Sequence, residues 1–529
     1  MIARSRTLRW MFIGLAAFAL LAPAAEARKK TRRARPATAR PAAPATTEDW
    51  LARTQNAENK LHERWSVLVR DIDTSTVVFS YHPDLRLTPA SNRKIATFAM
   101  ALDLLGPDHK FRTELGLKSP HAVGDPHYHG DVLLRSTGDP SLDNPFLNIR
   151  LNPSELFREW ATKLRQDEGV VYVHGDLVID ATEFGTDQNA YPSVWDKRHR
   201  DTSYAVVPSA LAVSQNLLSA TVQPSRVGRA GRIELTPSGL GLKTVNRTLT
   251  MSKSRPGVSI AFNEDFSELT LTGGVCVRDN AEVATVPMPR PLEAVGSMMR
   301  QALNDAGIRL VGGVRIVCNP ADAPGPMNKL IASRESPTLN AILEPMMLHS
   351  NNFIAEQVWR ASAARVRRGA GVDAARQIEL DCYKRHGLAW IQPGYDGCGL
   401  SDMDKTSAHE LVAIINMLYA SPFRDILIDC LPVAGESGTL RHRSYGRGEG
   451  RVIAKTGTLD GASALSGFVL DADHQPRYVF SIIGNANGYT NGRLSGRITE
   501  LLNIVIRQLD NADKPKPKLP RTAQLARNQ

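Results

Sequence analysis

A serine and a lysine three positions apart, at the start of an apolar run, are the residues best suited to chemistry. Ser91 and Lys94 lie in TPASNRKIATFAMAL, residues 88–102. Residues i and i+3 share one face of a helix, and a helix N-terminus offers unpaired amides and the positive end of the dipole. Those amides suit an oxyanion, and a lysine whose pKa is depressed can accept the serine proton. The alternative is a capping serine beside a solvated lysine.

A second candidate is the tract Lys455-Thr456-Gly457-Thr458, within the strand-like run VIAKTGTL. Gly457 allows close approach of a ligand backbone. A cation beside a hydroxyl suits a substrate carboxylate. The tract therefore predicts a substrate-binding strand.

A third candidate is the Ser350–Asn352 tract in MMLHSNNFIAEQV. A Ser-x-Asn also occurs at 214–216, so the pattern alone does not choose between the two. Ser350 is preferred for its helical setting and its position between the other two motifs. His349 is not expected to pair with Ser350, because adjacent helical residues diverge by about 100°. The chain has no G-x-S-x-G elbow, which argues against an α/β-hydrolase.

The elements that must position these residues are helices and an antiparallel sheet. Apolar spacing predicts a helix over 91–106 and another over 338–364, broken near Pro345. Near the C-terminus, VIAKTGTL precedes the turn signal Asp460-Gly461, and ALSGFVL and YVFSIIGN follow as strands. The predicted fold class is α+β, an antiparallel sheet covered by helices.

The stretch 113–324 has a different sequence pattern, in which short runs of alternating apolar and polar residues are separated by Gly, Pro and Asn. It predicts a large, mostly β insertion within a discontinuous domain formed by 48–112 and 325–510. One tripeptide, His-Gly-Asp, occurs twice inside it, at 129–131 and at 174–176. A metal site is one interpretation, and a Gly-Asp turn feeding a strand is the favoured one.

Both chain ends predict segments outside the folded part. Residues 1–27 have a basic start, an apolar core and an A-x-A site, which indicates a signal peptide and export to a periplasm. Residues 28–47 predict a basic Pro/Ala-rich linker, and 511–529 a disordered basic tail.

The ends also explain the formal net charge of +11, because 48–510 is nearly neutral. That distribution argues against a nucleic-acid partner. Solubility and attraction of the tails to an anionic envelope polymer both remain open.

Five cysteines are present, and none forms a C-x-x-C pair, which argues against zinc. Export permits disulfides, and the odd count leaves at least one thiol without an intramolecular partner. Cys276 and Cys318 each end a strand-like run and are one pairing among several.

Taken in order, Ser-x-x-Lys, Ser-x-Asn and Lys-Thr-Gly are the motif set of penicillin-binding proteins and β-lactamases. With TPASNRK, GDPSL, HSNNFIAE, DGCGLS, LPVAGESGTL and AKTGTLDGASALSGFV, residues 48–510 resemble the class C low-molecular-mass penicillin-binding proteins, the D-alanyl-D-alanine carboxypeptidase/endopeptidase family S13. The long gap between Lys94 and Ser350 suits that family's large insertion. Cys398 stands where the family usually has serine.

The resemblance implies a serine transpeptidase/β-lactamase-like domain with Ser91 as the acylated nucleophile and Lys94 as its general base. Ser350 then relays a proton to the leaving amine, and Asn352 hydrogen-bonds the substrate backbone. No cofactor or metal is implied.

The resemblance also implies that Lys455 and Thr456 face the substrate's terminal carboxylate, on the strand that carries Gly457. The backbone N–H groups of Ser91 and Thr458 would form the oxyanion hole.

The implied substrates are peptidoglycan stem peptides, and β-lactams are the implied covalent inhibitors. A β-lactamase or esterase on the same scaffold, and a non-catalytic wall-binding protein, are the alternatives. The sequence leaves the oligomeric state open.

Overall fold

The computed structural model describes residues 46–253, 257–443, 445–488 and 491–512. The predicted signal peptide, the linker up to residue 45 and the tail beyond residue 512 lie outside the described residues. The helices, numbered in chain order, are α1 Thr47–Leu61, α2 Lys94–Leu104, α3 Pro153–Asp167, α4 Pro291–Asp305, α5 Leu339–Leu348, α6 Asn352–Val366, α7 Val372–Arg385, α8 Ala408–Tyr419, α9 Arg424–Cys430 and α10 Asn491–Ala512. The strands are β1 Arg64–Asp71, β2 Val77–Tyr81, β3 Arg112–Leu117, β4 His127–Tyr128, β5 Val132–Ser136, β6 Tyr172–Val173, β7 Leu177–Asp180, β8 Leu217–Gln223, β9 Arg232–Thr236, β10 Lys243–Asn246, β11 Leu249–Met251, β12 Gly257–Phe262, β13 Glu268–Cys276, β14 Glu282–Pro287, β15 Arg309–Leu310, β16 Val314–Val317, β17 Lys329–Glu335, β18 Val452–Leu459, β19 Ala462–Leu470 and β20 Pro476–Asn485.

A five-stranded antiparallel sheet joins the two ends of the described chain, in the order β18-β19-β20-β1-β2. The predicted hairpin turn lies between β18 and β19, and Gly461 takes the left-handed conformation there, with φ +73°. The strand β1 pairs with β20 along its whole length. The predicted antiparallel sheet is therefore confirmed.

Helices cover both faces of this sheet. On one face, Trp50 of α1 and the apolar side of α10 pack against Val452 and Ala454. On the other face, Phe98 of α2 and residues of α8 pack against Ile453 and the neighbouring strands. Every residue of β19 is buried, as expected for a strand enclosed on both faces. The α+β fold class is confirmed.

Local capping fixes where two of the covering helices begin. Thr46 and Asp49 form a reciprocal capping box at the start of α1, and Ser407 and Glu410 form another at the start of α8. Each box satisfies backbone N–H groups that a helix start would otherwise leave unpaired.

Two predicted helices differ from the structure in their limits. A 3₁₀ turn over Ala90–Arg93 precedes α2, so the regular helix begins at Lys94 and ends at Leu104. The predicted break near Pro345 was wrong, because Pro345 lies inside α5 and the chain breaks at 349–351 instead. Ser350 adopts φ +56° in that break, so its expected helical setting was also wrong.

The region between α2 and α5 contains most of the remaining strands and two long helices, α3 and α4. Its five-stranded sheet has the order β16-β7-β5-β3-β17, and the other strands form two three-stranded sheets and one of four strands. Because β17 pairs with β3, residues 329–335 join the sheet of the inserted region. The domain limits 113 and 324 stay a prediction.

The two His-Gly-Asp tracts lead directly into the parallel neighbours β5 and β7. Asp131 Oδ1 accepts a hydrogen bond from the Asp176 N–H at 2.8 Å, so the two turns are joined to each other. Both tracts therefore feed strands, as the favoured interpretation predicted.

All five cysteines are free thiols, including Cys276 and Cys318. Among the helices of the described residues, none combines the length and the apolar character that crossing a membrane requires.

Candidate active site

Ser91 lies in the 3₁₀ turn that precedes α2, with its side chain partly exposed while its neighbours are buried. Ala90, the residue before it, has φ +47°, a conformation that L-residues rarely adopt. Such backbone strain persists only where the surroundings enforce it. Gly399 packs so closely here that a Cβ on it would lie 2.0 Å from the Ala90 carbonyl oxygen.

Lys94 occupies the first position of α2, fully buried beneath Ser91. Its Nζ donates to Ser91 Oγ at 2.9 Å, to Asn352 Oδ1 at 2.6 Å and to the Cys398 carbonyl oxygen at 2.7 Å. Burial lowers the pKa of Lys94 to about 8, against the opposing influence of Cys398, Asp396 and Glu356. An amine with this pKa is partly in its neutral form near neutral pH, and the neutral form can accept the serine proton.

A loop over 396–401 supplies the Cys398 carbonyl and is organised around the Asp396 carboxylate. The backbone N–H groups of 398, 399, 400 and 401 all donate to Asp396, at 2.5 to 3.0 Å. The Trp195 indole N–H also donates to Asp396 Oδ2, at 2.8 Å. Burial acts to raise the pKa of Asp396, but these backbone donors and Arg93 hold it below its usual value.

Glu356, Asp396 and Cys398 bring a cluster of metal-ligating atoms together under Lys94. Protein donors already occupy it, since Glu356 receives the Gly397 N–H at 2.8 Å and Arg360 Nε at 2.9 Å. Burial raises the pKa of the Cys398 thiol well above its ordinary value, so it remains protonated. The cluster therefore acts as a support for the Lys94 pocket.

Ser350 and Asn352 lie at the junction between α5 and α6. The Asn351 side chain caps α6 by accepting from the Ile354 N–H, which leaves Asn352 in the first turn. Asn352 Oδ1 accepts from Lys94, and its Nδ2 donates to the Tyr204 carbonyl oxygen at 3.0 Å. The amide therefore links the first motif to a residue of the inserted region.

Lys455 extends from β18 into the same cleft and is also fully buried. Its Nζ donates to Ser350 Oγ at 2.8 Å and to the Thr456 carbonyl oxygen at 2.7 Å. Burial, followed by the positive charges of Lys94 and Arg443, lowers its pKa well below the ordinary value. Lys94 therefore hydrogen-bonds Ser91, and Lys455 hydrogen-bonds Ser350.

Thr456 directs its hydroxyl to Thr439 Oγ1, at 2.8 Å. The ladder between β18 and β19 has no register shift from Val452 to Leu459, so Lys455 and Thr456 lie in a regular strand. Thr458 is exposed near the end of this edge strand.

Gly457 is the point of closest approach between β18 and the turn that carries Ser91. A Cβ on Gly457 would lie 2.4 Å from the Pro89 carbonyl oxygen and 3.2 Å from the Ser91 nitrogen. Only glycine allows the strand to pass this close, which brings the 457–458 backbone beside the Ser91 N–H.

The structure thus brings all the predicted site residues into one cleft, and their catalytic roles remain proposals. The second Ser-x-Asn tract lies next to the preferred one, where Gln215 Oε1 accepts from Asn351 Nδ2 at 2.9 Å. Asn216 is buried against the carbonyl of Val207 and the hydroxyl of Ser209. His349 packs against Phe146, with ring centroids 5.4 Å apart.

Sequence reasoning did not assign roles to Trp195, Tyr204, Asp396 or Thr439. The DGCGLS tract carried a signal for Asp396, because a buried Asp ahead of a glycine-rich turn commonly accepts backbone N–H groups. Tyr204 contributes its backbone carbonyl, which every residue type possesses, so no sequence signal marks it.

The fold and the family match below make this chain a serine hydrolase. Residues 51–499 match the D-Ala-D-Ala carboxypeptidase 3 (S13) family, and the chain belongs to that family. It is a serine-type D-Ala-D-Ala carboxypeptidase, as the sequence resemblance predicted.

Known proteins agree with this assignment. The chain is 30% identical over 437 residues to a D-alanyl-D-alanine carboxypeptidase of Actinomadura sp. (strain R39), covering 80% of this chain and 77% of the relative. It is 26% identical over 481 residues to the penicillin-sensitive carboxypeptidase A of Dictyostelium discoideum, with 84% and 85% covered. The crystal structure of penicillin binding protein 4 from Haemophilus influenzae matches with a TM-score of 0.70 at 20% identity, covering 86% of this chain and 98% of that one, which shows a shared fold.

Proposed function

We propose that the protein releases the terminal D-alanine of peptidoglycan stem peptides, or opens D-Ala cross-links, through an acyl-enzyme on Ser91. The observation that supports this most directly is the 2.9 Å contact between Lys94 Nζ and Ser91 Oγ, made by a buried amine whose pKa is lowered to about 8. A nucleophile beside a base that a third group orients is the arrangement that covalent acyl transfer needs. Asn352 is that third group.

In the proposed reaction, neutral Lys94 takes the Ser91 proton as the hydroxyl attacks the penultimate D-Ala carbonyl. The N–H groups of Ser91 and Thr458 stabilise the oxyanion. As the tetrahedral intermediate collapses, Ser350 gives its proton to the leaving amine and takes up the one held by Lys94, so D-alanine departs and Lys94 is neutral again. Water then hydrolyses the Ser91 ester, and Lys94 acts again as the base.

Lys455 and Thr456 bind the free carboxylate of the stem peptide. Lys455 donates to Ser350 at 2.8 Å, and a bound carboxylate favours the charged form of this lysine, so carboxylate binding and the proton relay share Lys455. Charge-assisted contacts of this kind are stronger than neutral ones. A substrate amidated at its C-terminus should therefore bind poorly.

A β-lactam reacts by the same first step. Ser91 attacks the ring carbonyl and the C–N bond opens, but the amine stays tethered and cannot leave the site. We therefore propose β-lactams as covalent inhibitors.

Labelled penicillin tests the acyl-enzyme. The wild-type protein should carry one label per chain, and Ser91→Ala should carry none. Purified cross-linked muropeptides, read by mass, should lose a D-alanine or separate into monomers. Rapid nitrocefin hydrolysis without D-alanine release would instead favour a β-lactamase, and wall binding unchanged in Ser91→Ala without a covalent adduct would favour a binding protein.

We further propose that residues 1–27 direct export and are removed, so that the enzyme works in the periplasm. The sequence of the first 27 residues supports this, as does the location of peptidoglycan. N-terminal sequencing of the protein from the periplasmic fraction should begin near Arg28. The basic ends should make any envelope association sensitive to salt.

A further inference from the structure

Three histidines of the inserted region share one exposed face of the small sheet β15-β6-β4. His127 and His129 are two positions apart along β4 and its extension, and His174 follows β6. The parallel register places His127 beside Tyr172 and continues to bring His129 beside His174. Alternate residues of a strand point to the same side, so all three imidazoles lie on one surface.

The rings are in direct contact. His127 Nδ1 and His174 Nε2 are 2.9 Å apart, so one of the two nitrogens donates a hydrogen bond to the other. The His129 ring stacks on His174, with centroids 4.4 Å apart and planes 6° from parallel. No hydrogen bond joins the His129 ring to another residue of the described ranges, and all three histidines that form this imidazole cluster are exposed.

The backbone beneath the imidazole cluster is held firmly. The His174 N–H donates to the Tyr128 carbonyl at 2.9 Å, directly between the two strands. Gly175 lies so close to the neighbouring turn that a Cβ on it would sit 2.3 Å from the Gly130 carbonyl oxygen. Asp131 then ties the two turns together. The sheet therefore fixes the backbone spacing of the three histidines.

Neutral imidazole is a preferred ligand of Zn²⁺, which binds it at about 2.0–2.1 Å in tetrahedral geometry. Two nitrogens on one such ion lie about 3.3 Å apart. The His127 and His174 nitrogens need to separate by only a few tenths of an ångström, whereas His129 must turn out of its stack on His174, because the nitrogens of the three rings do not all lie within 4.8 Å of one another. Exposed rings can make that turn without repacking a core.

We propose that His127, His129 and His174 form a binding site for a divalent transition-metal ion, with Zn²⁺ as the ion it suits best. The ion replaces the hydrogen bond between His127 and His174, His129 provides the third nitrogen, and water completes the coordination. The donating ring gives up the proton of that bond and takes up one from solvent on its other nitrogen, so both rings bind as neutral imidazoles. The site is separate from the acyl-transfer cleft, and its existence does not depend on the proposed function.

Titration calorimetry with ZnCl₂ on the tag-free, EDTA-treated full chain tests the proposal. One Zn²⁺ should bind per chain, and His129→Asn/His174→Asn should weaken binding by about tenfold or more. His62→Asn is the matched control, because His62 is exposed at the end of α1 in the left-handed conformation that asparagine tolerates, and it should bind Zn²⁺ as the wild type does.

Circular dichroism and thermal unfolding show whether each variant is folded, and exposed histidines should leave both unchanged. Co²⁺ in place of Zn²⁺ should give visible d–d bands that the double variant lacks. Absence of Zn²⁺ binding by the wild type, or equal affinity in the wild type and the double variant, would overturn the proposal.

Discussion

The Trp195 indole N–H donates to Asp396 Oδ2 at 2.8 Å, joining a residue of the inserted region to the loop that holds the Lys94 amine. Asp396 orders the loop through its backbone N–H contacts, and the loop presents the Cys398 carbonyl to Lys94 at 2.7 Å. Trp195 therefore acts as a positioning residue, three hydrogen bonds away from the proposed base, Lys94.

Replacement of Trp195 by phenylalanine keeps the aromatic bulk and removes the donor. Loss of one hydrogen bond to the buried Asp396 carboxylate costs about 1–3 kcal/mol. Part of this free energy should be lost from the positioning of Lys94 and so raise the barrier to acylation. We expect the second-order rate constant for acylation by penicillin to fall about tenfold. Stopped-flow labelling measures it.

The control is Trp390→Phe, because Trp390 is 43% exposed. It should label at the wild-type rate. A rate for Trp195→Phe within twofold of wild type, with an unchanged pH profile, would show that the indole N–H does not position the base.

The lowered pKa of Lys94 predicts how acylation depends on pH. Only the neutral amine accepts the Ser91 proton, so the acylation rate should rise about tenfold per pH unit below 8 and level off above it. Asp396 acts to raise that pKa, so Asp396→Asn should move the midpoint to lower pH. Penicillin labelling between pH 6 and 10 measures both profiles. A flat profile, or a midpoint that moves upward in the variant, contradicts the assignment of Lys94 as the base.

Gly457→Ala should damage the cleft through shape alone. The added Cβ would meet the Pro89 carbonyl at 2.4 Å and force β18 away from the Ser91 turn. A displacement of that order costs about 100-fold in rate. D-alanine release from a stem pentapeptide measures it.

The matched change is Gly496→Ala in α10, where nothing lies within 4 Å of the new methyl group. It should leave activity unchanged and stabilise the protein by about 0.5–1 kcal/mol. Wild-type activity of Gly457→Ala would mean that the close approach is not required.

Arg93 and Glu379 form a buried ion pair at 2.5 Å directly behind the turn that carries Ser91. Trp359 Nε1 and the Tyr383 hydroxyl also donate to Glu379. Glu379→Gln removes the nearest counter-charge of a buried guanidinium, so the free energy of unfolding should fall by about 3–5 kcal/mol.

Asp381→Asn, which breaks an ion pair with Lys384 between side chains about half exposed, should change the unfolding free energy by less than about 1 kcal/mol. Urea unfolding measures both variants. Similar values for the two would show that Arg93 is solvated.

Sequence reasoning located the three motifs because each combines rare residue types with a recognisable element. Lys94 and Lys455 stand at the ends of apolar runs where a charge has no structural role, and the hairpin at Asp460-Gly461 fixes the strand that carries Lys455. The break at Ser350 was misplaced because Pro345 is the stronger local signal. Proline nevertheless fits inside α5, where the chain continues to His349 before it breaks.

The contacts of the inserted region could not be read from the sequence. Tyr204 and Asn352 are 148 positions apart and meet through a backbone carbonyl, which every residue possesses. Trp195 and Asp396 are 201 positions apart and lie on irregular segments without periodicity. Pairings at such separations depend on tertiary packing.

The Tyr204 carbonyl and the Trp195 indole N–H make the cleft depend on the inserted region, and this dependence has an evolutionary consequence. A descendant that deleted the inserted region would keep every signature motif and still lose the two hydrogen bonds that Tyr204 and Trp195 make to Asn352 and Asp396. The insertion and the cleft are therefore a single heritable unit, and recombination that separates them should yield inactive progeny.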